Sequence, residues 1–262
     1  MSILDQIVSV KRDEIEAAKR RLPPAACRAA AEAAPHARRG FAEALRAPGV
    51  RIVAEIKRAS PSKGVIAPGL DPAATARAYA AGGAAALSVL TEAAFFKGSA
   101  EDLRAARGAV PLPVLRKDFI LDPYQLCESV LMGADAVLLI VRILPDPLLA
   151  DLYALAQCLG LDVLTEVRDE ADVGRANAIG AELVGINNRD LASFATDAAH
   201  AARLARTVRR GATVVALSGI AADDDVRRTL DAGITCLLVG EALLRAPDPV
   251  AVLQRWSAFD AG

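Results

Sequence analysis

The sequence predicts a (β/α)8 barrel preceded by a helical extension. Three observations carry that prediction. From residue 51 onward, eight short apolar runs of strand length alternate with amphipathic stretches of helical period. The runs are nearly continuous in Val, Ile, Leu and Ala, as strands covered on both faces must be. Glycines close the helical stretches just before the next run, the place of a helix-terminating C′ residue. A doubly wound open sheet is the competitor. It would carry fewer strands and a G-x-G-x-x-G loop after the first, and the chain has no such loop.

Residues 3–21 repeat Ile3, Leu4, Ile7, Val8 and Ile15 on one side with charges opposite, which predicts a helix stopped by Pro23-Pro24. An Ala-rich helical stretch and "FAEALRAPG" follow. Residues 1–48 are thus expected as an N-terminal extension of a single domain spanning 1–262. The expected strands are 51–57, 85–91, 113–119, 134–141, 162–167, 182–188, 213–219 and 235–240. Asp71-Pro72, Asp122-Pro123 and Asp146-Pro147 each pair a capping aspartate with a first-turn proline. Gly82-Gly83, Gly133, Gly160, Gly180, Gly211 and Gly233 mark the helix ends.

Composition narrows the function. Hydrophobic residues are 53% and aromatics 4%, so the core must be built from Ala, Val, Leu and Ile. The net charge of -1 gives no bulk attraction for nucleic acid or an anionic membrane, and no apolar run approaches the roughly 20 residues of a spanning helix. The start "MSILDQIVSVKRDEIEAAKRR" mixes charge and apolar residues throughout, unlike a secretory signal. Cys27, Cys127, Cys158 and Cys236 form no Cys-x-x-Cys pair, which suits reduced thiols in a cytoplasmic protein. His36 and His200 lack neighbouring ligands, so no metal site is expected.

In such a barrel, chemistry sits at the C-terminal ends of the strands. Here those ends are polar: Glu55 and Lys57, then Arg116-Lys117-Asp118, Glu166, Asn187-Asn188-Arg189-Asp190, Ser218-Gly219 and Gly240-Glu241. A single charged strand end can simply meet water; five on one rim point to a site. Period-two geometry puts Glu55 and Lys57 on one face, and Asn187 and Arg189 on one face. Glycines after the last two strands, in "LSGI" and "LLVGEAL", suit a phosphate site where backbone N–H groups face an anion.

These motifs resemble the indole-3-glycerol phosphate synthase family. The resemblance runs in order through "ILDQIVSVKRDEI", "VAEIKRASPSKG", "LSVLTEAAFFKGS", "VLRKDFILDPYQ", "GADAVLLIVRIL", "LTEV", "GINNRDL", "SGI" and "LLVGEALLRAPDP". It implies a cofactor-free lyase that closes the indole ring of 1-(2-carboxyphenylamino)-1-deoxyribulose 5-phosphate with loss of carbon dioxide and water. It implies Lys117 as general acid on the ketone, Glu166 as general base, and Glu55 and Lys57 as substrate-binding and dehydration residues. Ser60, Asn187, Arg189 and Ser218 would complete the polar wall. Gly219 and Gly240 would lie by the phosphate, and Phe96, Phe119, Leu138, Leu191 and Val239 would line the anthranilate pocket. Lys57, Arg58, Lys63, Lys117 and Arg189 suit a ligand carrying both phosphate and carboxylate. Lys63 lies in a Ser-Pro-Ser-Lys-Gly segment expected to close over the ligand, and Lys97 could add a cation near the second loop.

The chain departs from the family at the seventh strand, where Leu217 stands in place of the usual glutamate; Arg168 replaces a frequent histidine. Two other readings follow: a phosphate-ligand-binding barrel with impaired catalysis owing to Leu217, and another sugar-phosphate isomerase barrel. The second would want a strand-end cysteine or histidine, and Cys236 lies at a strand start. The expected partner is a phosphorylated small molecule. The expected state is a monomer, with a weak homodimer as the alternative.

Overall fold

Parallel strands covered on both faces can leave no edge unpaired if the sheet closes. The apolar runs do this as β1 (Arg51–Ile56), β2 (Ala86–Leu90), β3 (Val114–Lys117), β4 (Ala136–Ile140), β5 (Asp162–Val167), β6 (Leu183–Ile186), β7 (Thr213–Ala216) and β8 (Cys236–Val239). They pair in chain order, and β8 returns to β1 with Arg51 opposite Cys236 and Ala54 opposite Val239. The computed structural model describes residues 2–34, 38–187 and 198–260, and of 198–200 the backbone alone.

Alternation along the strands divides the core. Ile52, Ala54 and Ile56 pack into the layer shared with the helices. Val53, Leu115, Leu138, Leu164, Leu183, Val215, Leu217 and Leu238 fill the barrel interior. The outer layer comprises α4 (Pro72–Ala81), α5 (Ala100–Ala109), α6 (Pro123–Met132), α7 (Asp146–Cys158), α8 (Glu170–Ala178), α9 (Ala198–Ala205), α10 (Asp223–Asp231), a short α11 (Glu241–Arg245) and α12 (Pro249–Ser257). Asp122 caps α6 by accepting from Tyr124 N, and Gly133 ends it at φ 85°, a left-handed angle that a Cβ would strain. Asp146 is not a cap: it already lies in the first turn of α7, after Pro145. Two features carry no periodicity long enough to read from sequence. One is the hairpin of Ala59–Ser60 and Gly64–Val65; the other is a 3-10 turn at Val141–Ile143.

The extension brackets the barrel. α3 (Phe41–Arg46) closes the N-terminal end, where Phe41, Ala42 and Leu45 join the interior cluster. Phe41 and Leu45 are almost fully buried, worth roughly 2 kcal/mol each. Ala42 N donates to Asp162 at 2.8 Å, and Arg39 Nη1 donates to the carbonyls of Arg107, Val110 and Leu112. α1 (Ile3–Arg21) starts with a reciprocal Ser2–Asp5 cap and docks on the segment after β3. Lys11 pairs with Asp118 at 3.0 Å, Tyr124 Oη donates to the Ala18 carbonyl at 3.1 Å, and Lys19 pairs with Asp122 at 2.8 Å. α2 (Pro24–Ala33) lies against α6.

The Lys11–Asp118 contact is buried with Arg116, which donates to Asp118, to Thr91 and to the Gln125 carbonyl. Burial alone would raise the Asp118 carboxyl; Arg116 and Lys11 outweigh it and hold it below its ordinary range. Burial opposes the Lys11 charge as well, yet Asp118 and Glu14 raise its pKa. Of the charged triple at the end of β3, Arg116 and Asp118 thus belong to the helix layer and only Lys117 turns toward the barrel mouth.

Candidate active site

Two lysine–carboxylate pairs stand at the C-terminal ends of the strands. On β1, Glu55 is buried and accepts a short hydrogen bond from Lys57 Nζ, two residues on. Across the mouth, Lys117 Nζ lies 3.7 Å from Glu166 Oε2. That oxygen is buried and accepts no hydrogen bond among the described residues. The other oxygen, Oε1, accepts from Asn187 Nδ2 at 2.9 Å, and Asn187 Oδ1 accepts from Ser218 Oγ at 2.8 Å. The chain of bonds from β5 through β6 to β7 fixes the Asn187 amide: its nitrogen faces the carboxylate and its oxygen the hydroxyl. Glu166 is therefore held on one oxygen and directed by the other toward a cation, the posture of a positioned acid–base group.

Gly240 makes room for Glu55. A Cβ built there would stand 2.5 Å from Glu55 Oε1, so the glycine gives the carboxylate its seat. Gly240→Ala is expected to displace Glu55 and Lys57 and lower kcat/KM by about 30-fold, roughly 2 kcal/mol of transition-state stabilisation. Steady-state kinetics with an unchanged thermal midpoint would check it; an unaltered kcat/KM would contradict it. Gly219, at φ 88°, follows Ser218, and Glu241 is turned to Arg245 within α11.

Leu217 is buried in the interior cluster. It occupies the space beside Gly185, where a Cβ would come 2.5 Å from Leu217 Cδ1. The apolar side chain thus seals the wall between β6 and β7 just below Asn187.

The apolar side of the mouth is made by Phe119 and Leu138 in the interior cluster, with Phe96 packed against it. The Phe96 and Phe119 rings are 6.1 Å apart and tilted by 41°. Val239 does not join them. It lies in the helix-facing cluster, and Leu238 takes the interior position, in phase with Gly240 two residues later. Leu191 and Arg189 lie outside the described residues, as do Asn188 and Asp190.

Arg58 departs from its expected role. It pairs closely with Asp102 of α5 and donates to the Leu70 carbonyl at 3.1 Å, so it ties down the root of the first loop. Ser60 is buried on the hairpin, 3.5 Å from the Ser62 hydroxyl, while Lys63 is exposed. The Arg168 amide donates to Asp172. Lys97 is exposed and adopts φ 58° in the second loop. A residue that sequence reasoning missed is Glu92, whose buried carboxylate accepts from three loop amides. Its one sequence signal was an acid placed directly before the Phe95-Phe96 loop.

Among the described residues no helix is long and apolar enough to cross a membrane. The family profile for indole-3-glycerol phosphate synthase matches residues 4–255. Relatives bearing that name include one from Desulfosudis oleivorans, 52% identical with 97% of each chain covered. Another, from Syntrophobacter fumaroxidans, is 48% identical with 95% of each covered. A third, from Carboxydothermus hydrogenoformans, is 45% identical with 96% of this chain and 98% of the relative covered. Among solved structures, a thiamine phosphate pyrophosphorylase from Pyrococcus furiosus superposes with a TM-score of 0.61 at 18% identity, covering 83% of this chain and 96% of that one. That likeness speaks to the barrel alone.

Proposed function

Because this chain belongs to the indole-3-glycerol phosphate synthase family, we propose that its Lys117–Glu166 pair carries out indole-ring closure on a phosphorylated, carboxylated arylamino sugar. The activity is that of a decarboxylating lyase of tryptophan biosynthesis. The observation that carries the residue assignment is the Glu166 carboxylate: one oxygen is bound by Asn187, the other is buried 3.7 Å from the Lys117 ammonium and accepts no hydrogen bond among the described residues.

The chemistry needs this arrangement. The aromatic carbon bearing the carboxylate attacks the ketone carbon, and the ketone oxygen gains a proton from Lys117 as it becomes a hydroxyl. Carbon dioxide leaves, and its bonding pair restores the six-membered aromatic ring. Lys57, held by Glu55, donates a proton to the departing hydroxyl, which leaves as water. Glu166 accepts the ring proton lost as the indole forms. Ser60 adds a hydroxyl donor, Ser218 gives its proton to Asn187 and so holds that amide toward Glu166, and Gly219 with Gly240 let backbone amides approach the phosphate. Phe96, Phe119, Leu138 and Leu238 form the apolar side against which the aryl ring rests. Arg189 and Leu191 belong to the same reading through the family resemblance. The barrel and its extension work as one unit, as a monomer in the cytoplasm; size-exclusion chromatography at working concentration tests the monomer.

Purified protein mixed with the arylamino deoxyribulose phosphate should produce indole fluorescence without added metal or cofactor. Binding without turnover would instead favour the phosphate-ligand-binding barrel. Leu217→Glu separates the two readings. Because the acid–base pair is complete without a carboxylate at 217, the substitution is expected to change kcat by less than about tenfold, a shift under about 1.4 kcal/mol in the barrier. A rise from no turnover to full turnover would mean that the pair is insufficient.

A further inference from the structure

We propose that Glu92 is the positioning residue for the aromatic wall: its carboxylate holds the loop that presents Phe96 to the substrate's aryl ring. The inference rests on the reading of Phe96 as part of that pocket. Glu92 follows β2 and is 1% exposed. Its Oε1 accepts from Ala94 N at 2.9 Å; its Oε2 accepts from Phe95 N at 2.8 Å and Phe96 N at 2.9 Å. Its own carbonyl accepts from Gly98 N at 2.8 Å. The loop is thus wound around one side chain, whose negative charge is answered by backbone dipoles.

The winding is tight. Lys97 is the one described non-glycine residue with positive φ, at 58°. Gly98 lies so close to the Leu90 carbonyl and the Thr91 amide that a Cβ cannot be accommodated. The consequences reach the mouth in two ways. Phe96 is brought beside Phe119 with ring centres 6.1 Å apart. The Phe96 carbonyl accepts from Ala59 N at 3.2 Å, so the hairpin bearing Ser60 hangs from the same loop.

Two carboxylate oxygens are required. A glutamine has one acceptor oxygen, and in either orientation its NH2 faces at least one loop amide, donor against donor. Glu92→Gln is expected to raise KM about tenfold and leave kcat within about twofold, because an aryl contact made equally in ground and transition states is lost. Inhibition by inorganic phosphate should stay within about twofold, since that anion does not use the aromatic wall. If the loop acts through Phe96, Glu92→Gln added to Phe96→Ala should raise KM no further than about twofold beyond Phe96→Ala alone. Should Glu92→Gln fail to fold, Glu92→Asp keeps both oxygens one methylene short and should show the same pattern at about threefold. Phe96→Ala raising KM while neither Glu92 variant does so would overturn the role of Glu92. So would fully multiplicative losses in the double variant, or weakened phosphate inhibition in step with KM. An unchanged KM in Phe96→Ala would overturn the pocket reading itself, and the role of Glu92 with it.

Discussion

Lys117→Ala is expected to lower kcat by about 10³-fold, within the range that one positioned acid contributes. The loss should be confined to chemistry. The structural work at this point of β3 is done by Arg116 and Asp118, which lock the strand end to α1 and α6. Lys117 itself makes its ion pair across the mouth at 3.7 Å. The thermal midpoint should therefore move little, and inorganic phosphate should still inhibit whatever turnover remains. Lys117→Arg sharpens the test. Arginine keeps the charge but holds its proton too tightly to donate it. If Lys117 is the proton donor, the arginine variant retains substrate affinity and is nearly as slow as the alanine variant. Near-normal kcat in Lys117→Arg would mean that the site requires only a positive charge there.

Glu166→Gln is expected to lower kcat by about 10²-fold with KM nearly unchanged. The substitution is close to isosteric, and the bond from Asn187 selects its orientation. With the glutamine oxygen accepting from Asn187, the NH2 occupies the Oε2 position facing Lys117. The geometry survives, but the group can no longer accept a proton and no longer balances the ammonium. Single-turnover rates, which isolate ring closure and dehydration from product release, are the measurement. A kcat equal to that of the unsubstituted enzyme would remove Glu166 from the chemistry and leave it as a structural partner of Asn187.

How much of this was legible in the sequence depends on the physical signal each feature leaves. The barrel was legible because strand and helix periods repeat eight times and glycines punctuate them. Glu55 and Lys57 were legible as a pair because two residues along a strand return to the same face. The same rule, applied from Gly240, selects Leu238 over Val239, and it separates Lys117 from its charged neighbours Arg116 and Asp118. Local rules could not see the purpose of Gly240, because its Cβ would meet a side chain 185 positions earlier in the chain, Glu55. Nor could they see that Arg58 leaves the mouth for Asp102, or that Leu217 fills the space beside Gly185. Contacts between residues distant in sequence leave no period to read.

The bracketing extension also has a consequence for the order of folding. Apart from the adjoining Arg51, which donates to the Ala44 carbonyl, its polar partners come late: Lys11 waits for Asp118, Ala42 for Asp162, and Leu45 for Cys236, near the end of the chain. During synthesis the first 46 residues emerge long before the surfaces that receive them exist. Contacts of such sequence separation close slowly, since loop entropy is lost before any burial is gained. The segment made first is thus expected to dock last. In pulsed hydrogen exchange during refolding, amides of α1 and α3 should gain protection after those of β3 to β5; protection of α1 at the earliest time would reverse that order.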